Sequence, residues 1–370
     1  MNPFKYGQIV GDAHYCPRLK LEKTIKGHIV SGQNILVEGE RRVGKSSLIV
    51  HTAARMKGYR MVYIDINQIK TTNDLIARIV NALISLDKQA GVFEKVVKMV
   101  SHLRPSLSVD SFSGDPCISF HTNEILPPEN VESLLDFIYG EHKNRKSIVV
   151  IDEFQDILNL GNSDQVVAMM RSRIQFHSDM AYVFSGSVRN DMDRIFYDPD
   201  SPFFKSAIKI EVGPLSREAF SRHIIGSFMT GRRTLENEAV ESIYCESGER
   251  PGDVQELCNA LWSITENDTS LNQADVADAL QVVFSREKAL YEHSVSGLTS
   301  NQLRCLVGVA HLGGKGVQSG GFLKFTGILH ASSVKKAIGR LVDLKILYFY
   351  KKEYIFNSPF FRTWLKHSNI

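Results

Sequence analysis

The fold is decided by the stretch Gly39-Glu40-Arg41-Arg42-Val43-Gly44-Lys45-Ser46, which matches the pattern GxxxxGK[ST]. A strand pattern over residues 34–37 precedes it, and a helical pattern opens over residues 47–50. Glycines let successive backbone N–H groups point at an anion, and the helix N-terminus adds partial positive charge. The stretch therefore predicts a phosphate-binding loop between a strand and a helix. A glycine turn without a ligand is the alternative.

Two residues of this loop, Lys45 and Ser46, have side chains suited to particular chemical roles. Lys45 is expected to reach the β- and γ-phosphates of a nucleotide, and the Ser46 hydroxyl is expected to coordinate Mg²⁺. The predicted nucleotide contacts are Gly39, Glu40, Arg41, Arg42, Val43, Gly44, Lys45, Ser46 and Ser47.

A second stretch, residues 148–153, runs four apolar residues into two carboxylates, Asp152 and Glu153. Ligands bind at the carboxyl edge of a parallel sheet. Asp152 is therefore expected to hold Mg²⁺ together with Ser46, and Glu153 to polarise the attacking water. Taken alone, the stretch also fits a strand that ends in an ordinary acidic loop. With the phosphate loop upstream, it favours nucleotide hydrolysis with Lys45, Asp152 and Glu153 as catalytic residues. No Asn-Lys-x-Asp motif for guanine is present, so ATP is favoured.

The first half of the chain alternates β-branched runs with helical patterns, which predicts a parallel sheet with helical crossovers. The predicted strands cover residues 33–38, 59–64, 147–152 and 181–185, and the predicted helices cover 45–56, 72–86, 130–139 and 163–177. Residues 104–123 interrupt this order and predict an inserted β-hairpin, with strands over 106–109 and 117–120.

From Pro214 the pattern is helical, and it ends in two short strands. The predicted helices cover 216–229, 236–247, 253–262, 272–291, 301–310, 322–327 and 333–344, and the strands cover 347–350 and 354–357. Glycine and serine over residues 294–300 mark a boundary. Three helices closed by a hairpin after that boundary are the winged-helix pattern.

Composition excludes several classes of protein. Of the 370 residues, 43% are hydrophobic and 23% are charged, which is typical of a folded domain. No apolar run approaches the roughly 18 residues of a membrane span, and the N-terminus lacks a signal-peptide pattern, so a cytosolic protein without membrane contact is expected. The five cysteines include no CxxC pair and are expected to be free thiols.

The C-terminal segment is basic, although the whole chain carries a net charge of only +3. Residues 291–370 contain 11 Lys and Arg against 3 Asp and Glu. Lys335, Lys336 and Arg340 fall opposite the apolar stripe of one helix, and Lys351 and Lys352 fall at the tip of the wing. These five cations fit the backbone of duplex DNA. A solvated face, or a surface that docks on the acidic remainder of the chain, is the alternative. The aromatic strand 346–350 is expected to be core.

Further polar residues lie at the end of the strand at 181–185 and just beyond it. Ser185 or Ser187 is expected to contact the γ-phosphate or the attacking water, with an ordinary Ser/Gly turn as the alternative. One of the arginines near this strand fits an arginine finger, in the same chain or toward a neighbouring subunit. The arginines considered are Arg171, Arg173, Arg189 and Arg194. Ser187 and Arg189 are the catalytic candidates from this segment.

Together these motifs resemble the AAA+ class of P-loop ATPases, and within it the archaeal-type ATPases grouped with the STAND signalling ATPases. The resemblance spans nearly the whole chain. It is carried by residues 2–7 and 16–18 (N-terminal boxes), 39–46 (Walker A), 151–155 (Walker B), 184–187 (sensor 1), 212–216 (lid entry), 248–255 (lid motif) and 357–365 (closing winged-helix motif).

The resemblance implies an AAA+ core over residues 1–213, a helical lid over 214–293 and a winged-helix domain over 294–370. It implies ATP and Mg²⁺ as ligands, and Arg250 and Pro251 as further nucleotide contacts. The expected function is a slow ATPase that acts as a molecular switch and couples nucleotide state to a protein effector through the winged helix. An ATP-regulated DNA-binding protein of the origin-recognition or loader type is the alternative. Assembly of several copies stays open.

Overall fold

Residues 17–213 form one compact unit, here called the sheet unit, in which strands and helices alternate. The computed structural model describes residues 2–86, 94–96, 98, 106–109, 116–119, 126–186 and 189–368. The elements of the sheet unit are α1 (Leu19–Val30), β1 (Ile35–Glu38), α2 (Lys45–Ala54), β2 (Arg60–Asp65), α3 (Thr72–Leu86), β3 (Ser106–Val109), β4 (Pro116–Ser119), α4 (Glu129–His142), β5 (Ser147–Asp152), α5 (Ser163–Ile174), β6 (Tyr182–Gly186), α6 (Arg189–Phe196) and β7 (Ile208–Glu211), with a 3-10 helix at Phe154–Asn159.

Five parallel strands form the main sheet, in the order β2-β5-β6-β1-β7. The prediction of a parallel sheet with helical crossovers is confirmed. Strands β1, β5 and β6 are buried along their whole length, which explains their continuous apolar sequence. Strand β7 is absent from the sequence prediction because three of its four residues are exposed, as is typical of an edge strand.

Each face of this sheet carries its own apolar core. Side chains alternate between the faces along a strand, so Val37 and Val150 lie in one core and Leu36 and Ile151 in the other. The first core also contains Leu48 and Ile49 of α2, and the second contains the buried faces of α3, α4 and α5. By the same alternation, Asp152 lies on the α2 face of the sheet, at its carboxyl edge.

The inserted hairpin is also confirmed. Strands β3 and β4 pair antiparallel, with Ser106 opposite Ser119 and Val109 opposite Pro116. The residues that connect them, 110–115, lie outside the described residues.

Residues 1–16 and 214–370 form the second compact unit, here called the helical unit. Its elements are a 3-10 turn at Asp12–His14, α7 (Arg217–Met229), β8 (Thr234–Leu235), α8 (Asn237–Ser247), α9 (Pro251–Ile264), β9 (Ser270–Leu271), α10 (Gln273–Ser296), α11 (Ser300–Leu312), α12 (Gly320–Thr326), α13 (Ala331–Asp343), β10 (Leu347–Tyr350), β11 (Glu353–Phe356) and α14 (Pro359–His367). Capping boxes begin two of the helices, at Asn272 for α10 and at Thr299 for α11.

The N-terminal segment packs with the helical unit rather than with the sheet. Phe4 is buried against Phe228, with ring centroids 4.6 Å apart, and it also contacts Trp262. The Asn259 side chain donates a hydrogen bond of 2.9 Å to the Phe4 carbonyl. Residues 1–16 therefore belong to a different compact unit from the one expected for residues 1–213.

The last part of the helical unit has the predicted winged-helix elements. Helices α11, α12 and α13 are followed by the antiparallel pair β10 and β11, with Leu347 opposite Phe356. Helix α10 runs on to Ser296, past the expected boundary at residue 293. Within the described part of the chain, no helix has both the length and the apolar character that a membrane crossing requires.

Candidate functional site

The loop between β1 and α2 owes its shape to two glycines. Gly44, at the N-cap of α2, has a φ of +90°, a left-handed conformation that favours glycine. At Gly39, an added Cβ would lie 2.4 Å from the carbonyl oxygen of Val212, so any side chain would force the backbone apart. The sequence pattern thus builds a tight loop that ends at the positive end of a helix.

Lys45 is folded back over this loop. Its Nζ donates hydrogen bonds to the carbonyl oxygens of Gly39, at 3.1 Å, and Glu40, at 2.9 Å. Burial lowers the pKa of Lys45, while the nearby carboxylates of Glu153 and Asp152 oppose that shift. The arrangement keeps a cation at the mouth of a loop of backbone N–H groups, which suits a polyphosphate.

Arg18 supports the same loop from outside it. Its guanidinium donates hydrogen bonds of 2.8 Å to the carbonyls of Val43 and Gly213. From the sequence, Arg18 was expected only as part of an N-terminal box, and its contact with the loop was not predicted. A bridge between two segments distant in sequence leaves no local periodic signal.

Asp152, the last residue of β5, accepts hydrogen bonds from side chains of α2 and β2. Its Oδ2 accepts hydrogen bonds from the Ser46 hydroxyl of α2, at 2.7 Å, and from the Tyr63 hydroxyl of β2, while its Oδ1 accepts the Glu153 N–H at 3.0 Å. Burial and the Asp152 charge raise the pKa of Tyr63, so its hydroxyl stays a donor. The structure thus brings Ser46 and Asp152 together. Tyr63 was not anticipated, because the pairing of β2 with β5 cannot be read from the sequence.

Glu153 follows directly, with an unusual backbone conformation. Its φ is +53° and its ψ is +42°, in the left-handed region that non-glycine residues seldom adopt. Gln155 Nε2 donates a hydrogen bond of 2.5 Å to Glu153 Oε2. Strain of this kind clusters at functional sites, where the surrounding structure enforces it.

Of the two serines predicted near the end of β6, the structure describes only Ser185. Ser185 is fully buried in β6, beside Val37 of β1, and no described residue hydrogen-bonds its hydroxyl. Ser187 lies outside the described residues. Its contact with the phosphate or the attacking water stays a prediction.

The four arginine candidates lie on two helices, α5 and α6. Arg171 and Arg173 are in the last turn of α5, which leads back to the start of β6, so they lie at the sheet edge away from the phosphate loop. Arg173 is paired with Glu132 and lies 3.7 Å from Asp136. Neither can act as a finger on the loop of its own chain. Arg194 is exposed on α6. Arg189 begins α6, and its side chain lies outside the described residues.

Arg250 and Pro251 begin α9 in the helical unit. The Arg250 guanidinium forms an ion pair with Asp253 at 3.0 Å and donates a hydrogen bond of 2.7 Å to the Asn357 carbonyl. It is thus engaged within its own unit, at the junction of α9 with the end of the wing. Nucleotide contact by Arg250 or Pro251 stays a prediction.

The basic residues of the winged helix are all exposed: Lys335, Lys336, Arg340, Lys351 and Lys352. Lys351 and Lys352 form the two-residue turn between β10 and β11, both with positive φ. The aromatic strand is not wholly core as expected. Phe349 is 53% exposed, because alternate residues of this edge hairpin face outward. Its ring contacts that of Tyr354 at a centroid distance of 4.8 Å, with the ring planes tilted by 52°.

Taken together, the residues at the carboxyl edge of the sheet supply the parts needed for phosphate chemistry. The loop supplies backbone donors and the Lys45 cation. Ser46 and Asp152 supply two oxygen ligands of the kind Mg²⁺ prefers, and Glu153 supplies a carboxylate for water.

Known proteins resemble the chain in structure. The family described as "Probable winged helix domain" matches residues 289–367. No curated protein matches the sequence. A Walker-type ATPase of Pyrococcus abyssi superposes with a TM-score of 0.67 at 16% identity, covering 96% of this chain and 97% of that one.

Two further solved structures come from Aeropyrum pernix. The ORC1 protein in complex with DNA has a TM-score of 0.54 at 12% identity, covering 97% of this chain and 95% of its own. The ORC2 protein, solved as ADPNP–ADP complexes, has a TM-score of 0.51 at 12% identity and 98% coverage of both chains. The chain therefore has the AAA+ ATPase fold, a parallel α/β sheet with a C-terminal winged-helix domain.

Proposed function

We propose that this chain is a Mg²⁺-dependent ATPase that acts as a molecular switch. The observation that carries the proposal is the 2.7 Å hydrogen bond between Ser46 and Asp152, beside a loop held by Lys45. Two motifs that are 106 residues apart in sequence meet at one edge of the sheet, as binding of a metal-nucleotide complex requires.

The residues present fit both ATP and Mg²⁺. Successive N–H groups and the N-terminus of α2 suit the phosphates. Ser46 Oγ and an Asp152 carboxylate oxygen would hold the metal, which supplies charge neutralisation on the phosphate oxygens. Tyr63 and the Glu153 N–H hold the same carboxylate and would keep it oriented.

The other residues then have separate tasks. Lys45 would exchange its two carbonyl partners for phosphate oxygens, and its charge would stabilise the negative charge that develops there. Glu153 would accept a hydrogen bond from the attacking water and orient it. The favoured nucleotide is ATP, since no guanine motif is present. The Aeropyrum pernix ORC2 protein, a structural neighbour, was solved with the adenine nucleotides ADPNP and ADP.

Steady-state hydrolysis tests this proposal. Purified wild-type protein should hydrolyse ATP slowly and only with Mg²⁺, whereas Glu153→Gln should bind ATP with wild-type affinity and lose turnover. Glutamate and glutamine side chains have nearly the same size, so the substitution should not disturb folding, and a loss of turnover would report the loss of the carboxylate. Equal rates for wild type and Glu153→Gln would contradict the assignment.

We further propose that the nucleotide state is passed to a protein effector through the winged helix, as in STAND-like switches. The support is the separate C-terminal module in a chain with a hydrolytic site. A pull-down with Glu153→Gln in ATP, compared with Lys45→Ala, should enrich one effector selectively. Identical captures would argue against a switch. Light scattering of both variants would show whether several copies assemble with ATP.

A second function, ATP-regulated binding of duplex DNA, is favoured by one observation. Lys335, Lys336 and Arg340 on α13 and Lys351 and Lys352 on the wing all present exposed cations. The Aeropyrum pernix ORC1 neighbour was solved in complex with DNA. A gel shift that weakens with salt, and is lost when Lys335, Lys336 and Arg340 are replaced by alanine, would support this function. Absent or salt-insensitive binding would remove it.

A further inference from the structure

Gln155 lies two residues beyond Glu153, in the 3-10 helix that follows β5. Only 5% of its surface is exposed. Its amide nitrogen donates to Glu153 Oε2 at 2.5 Å and lies 3.4 Å from Asp156 Oδ1. The donor of this side chain is thus directed at the carboxylate that the proposed hydrolysis would use.

The other end of the amide faces the strand that ends next to the site. Gln155 Oε1 lies against Gly186, the last residue of β6, where an added Cβ would be 2.5 Å from that oxygen and 2.8 Å from Met192 Sδ. The glycine therefore leaves room for the amide. Through this contact, Gln155 connects Glu153 to the end of β6.

Packing alone does not explain a glutamine side chain at this buried position. Among the described residues, none hydrogen-bonds Gln155 Oε1, and its surroundings are closed to solvent. A buried acceptor without a partner is unfavourable, so an apolar side chain of similar volume would stabilise the same place better. Glu153, in turn, sits in a left-handed backbone conformation that its neighbours must enforce.

We propose that Gln155 is a positioning residue for Glu153. It fixes the Glu153 carboxylate through the hydrogen bond from Nε2, and its contact with Gly186 ties that orientation to the end of β6. The inference rests on the proposed hydrolysis by Glu153. It predicts that Gln155 affects the chemical step and not the binding of ATP.

The first test replaces Gln155 by methionine, which keeps the length and volume of the side chain and removes the amide. For Gln155→Met we expect kcat to fall at least about tenfold, the KM for ATP to stay within about twofold and the melting temperature not to fall. If Gln155 had only a structural role, this substitution would lower the melting temperature and leave kcat unchanged.

A second test leaves Gln155 in place. Gly186→Ala puts a methyl group where Gln155 Oε1 lies and should lower kcat in the same way, without changing the KM for ATP. Gly161→Ala is the matched control, because its Cβ meets nothing within 4 Å. In a Gln155→Ala background, Gly186→Ala should cause a smaller loss of kcat than it does in the wild type, since the Gln155 oxygen is gone and only the flexible Met192 side chain remains close.

The outcomes separate this inference from the proposed function. If Glu153→Gln abolishes turnover while Gln155→Met and Gly186→Ala keep wild-type kcat, the positioning role is wrong and the hydrolytic role stands. A raised KM with unchanged kcat overturns the positioning role too. If wild-type protein shows no turnover that depends on Glu153, both proposals fall.

Discussion

Replacing Arg250 by alanine should destabilise the helical unit severely. The Arg250 side chain is 7% exposed and the Asp253 side chain 1%, and Nε of the first lies 3.0 Å from Oδ2 of the second. The guanidinium also donates to the carbonyls of Asn357, at 2.7 Å, and Phe356, at 3.5 Å. The substitution removes the cation beside a buried carboxylate and two donors to backbone acceptors.

The magnitude follows from the burial of the pair. An exposed pair would be worth less than about 1 kcal/mol, but solvent screens this one very little. Breaking a buried pair by removing one partner costs about 3–5 kcal/mol, because the remaining charge stays desolvated. For a unit of this size, that loss corresponds to a fall in melting temperature of about 6–20 °C. Arg250→Met combined with Asp253→Leu should recover most of the stability, since no charge is then left buried.

Tryptophan fluorescence measures this change selectively. The chain has two tryptophans, Trp262 and Trp364, and both belong to the helical unit. Urea unfolding followed by tryptophan emission therefore reports that unit alone. Arg217→Ala is the matched control, because its pair with Glu241 is exposed on both sides and should be worth less than about 1 kcal/mol.

If Arg250→Ala unfolds within about 1 kcal/mol of wild type, as Arg217→Ala should, then the buried pair does not stabilise the junction. Wild-type stability together with a large loss of ATP affinity would instead support the nucleotide contact that the sequence resemblance implies.

Two further predictions concern the sheet unit. Tyr63→Phe removes a donor to the Asp152 carboxylate and should lower the free energy of unfolding by about 1.5–3 kcal/mol in urea, followed by circular dichroism without metal; an unchanged midpoint would contradict this. Arg18→Ala removes the 2.8 Å bond to the Val43 carbonyl and should weaken ATP binding about tenfold, measured by titration calorimetry. Arg18 reaches the Gly213 and Val43 carbonyls with two separate nitrogens, whereas a lysine offers all its donors from one nitrogen, so Arg18→Lys should restore little of that affinity.

The parts of the fold that depend on local pattern were predictable from the sequence. The phosphate loop, the buried strand that ends at Asp152 and the winged-helix order all have a period or a spacing that physics ties to one structure. The inserted hairpin was predictable as well, since its two short strands flank a turn-rich segment.

The parts that depend on pairing between distant segments were not. Nothing in the sequence says that β2 lies beside β5, so the bond from Tyr63 to Asp152 was missed. Arg18 donates to Val43, 25 residues away, and to Gly213, 195 residues away, and separations of this kind leave no periodic signal in the sequence. Phe4 lies in the core of the helical unit although it is more than 200 positions from most of that core in the sequence, about the separation between Phe4 and Phe228. Phe349 is exposed because the wing has only one packed face.

Binding of ATP by the loop over residues 39–46 can be measured in a single titration. Calorimetry with ATP and Mg²⁺ should give saturable binding of one nucleotide to wild-type protein. Lys45→Ala should weaken that binding at least about 100-fold, because a buried cation in contact with the phosphates is lost. Lys57→Ala, an exposed lysine just past α2, should bind as wild type does. Wild-type affinity in Lys45→Ala would mean that this loop does not bind ATP.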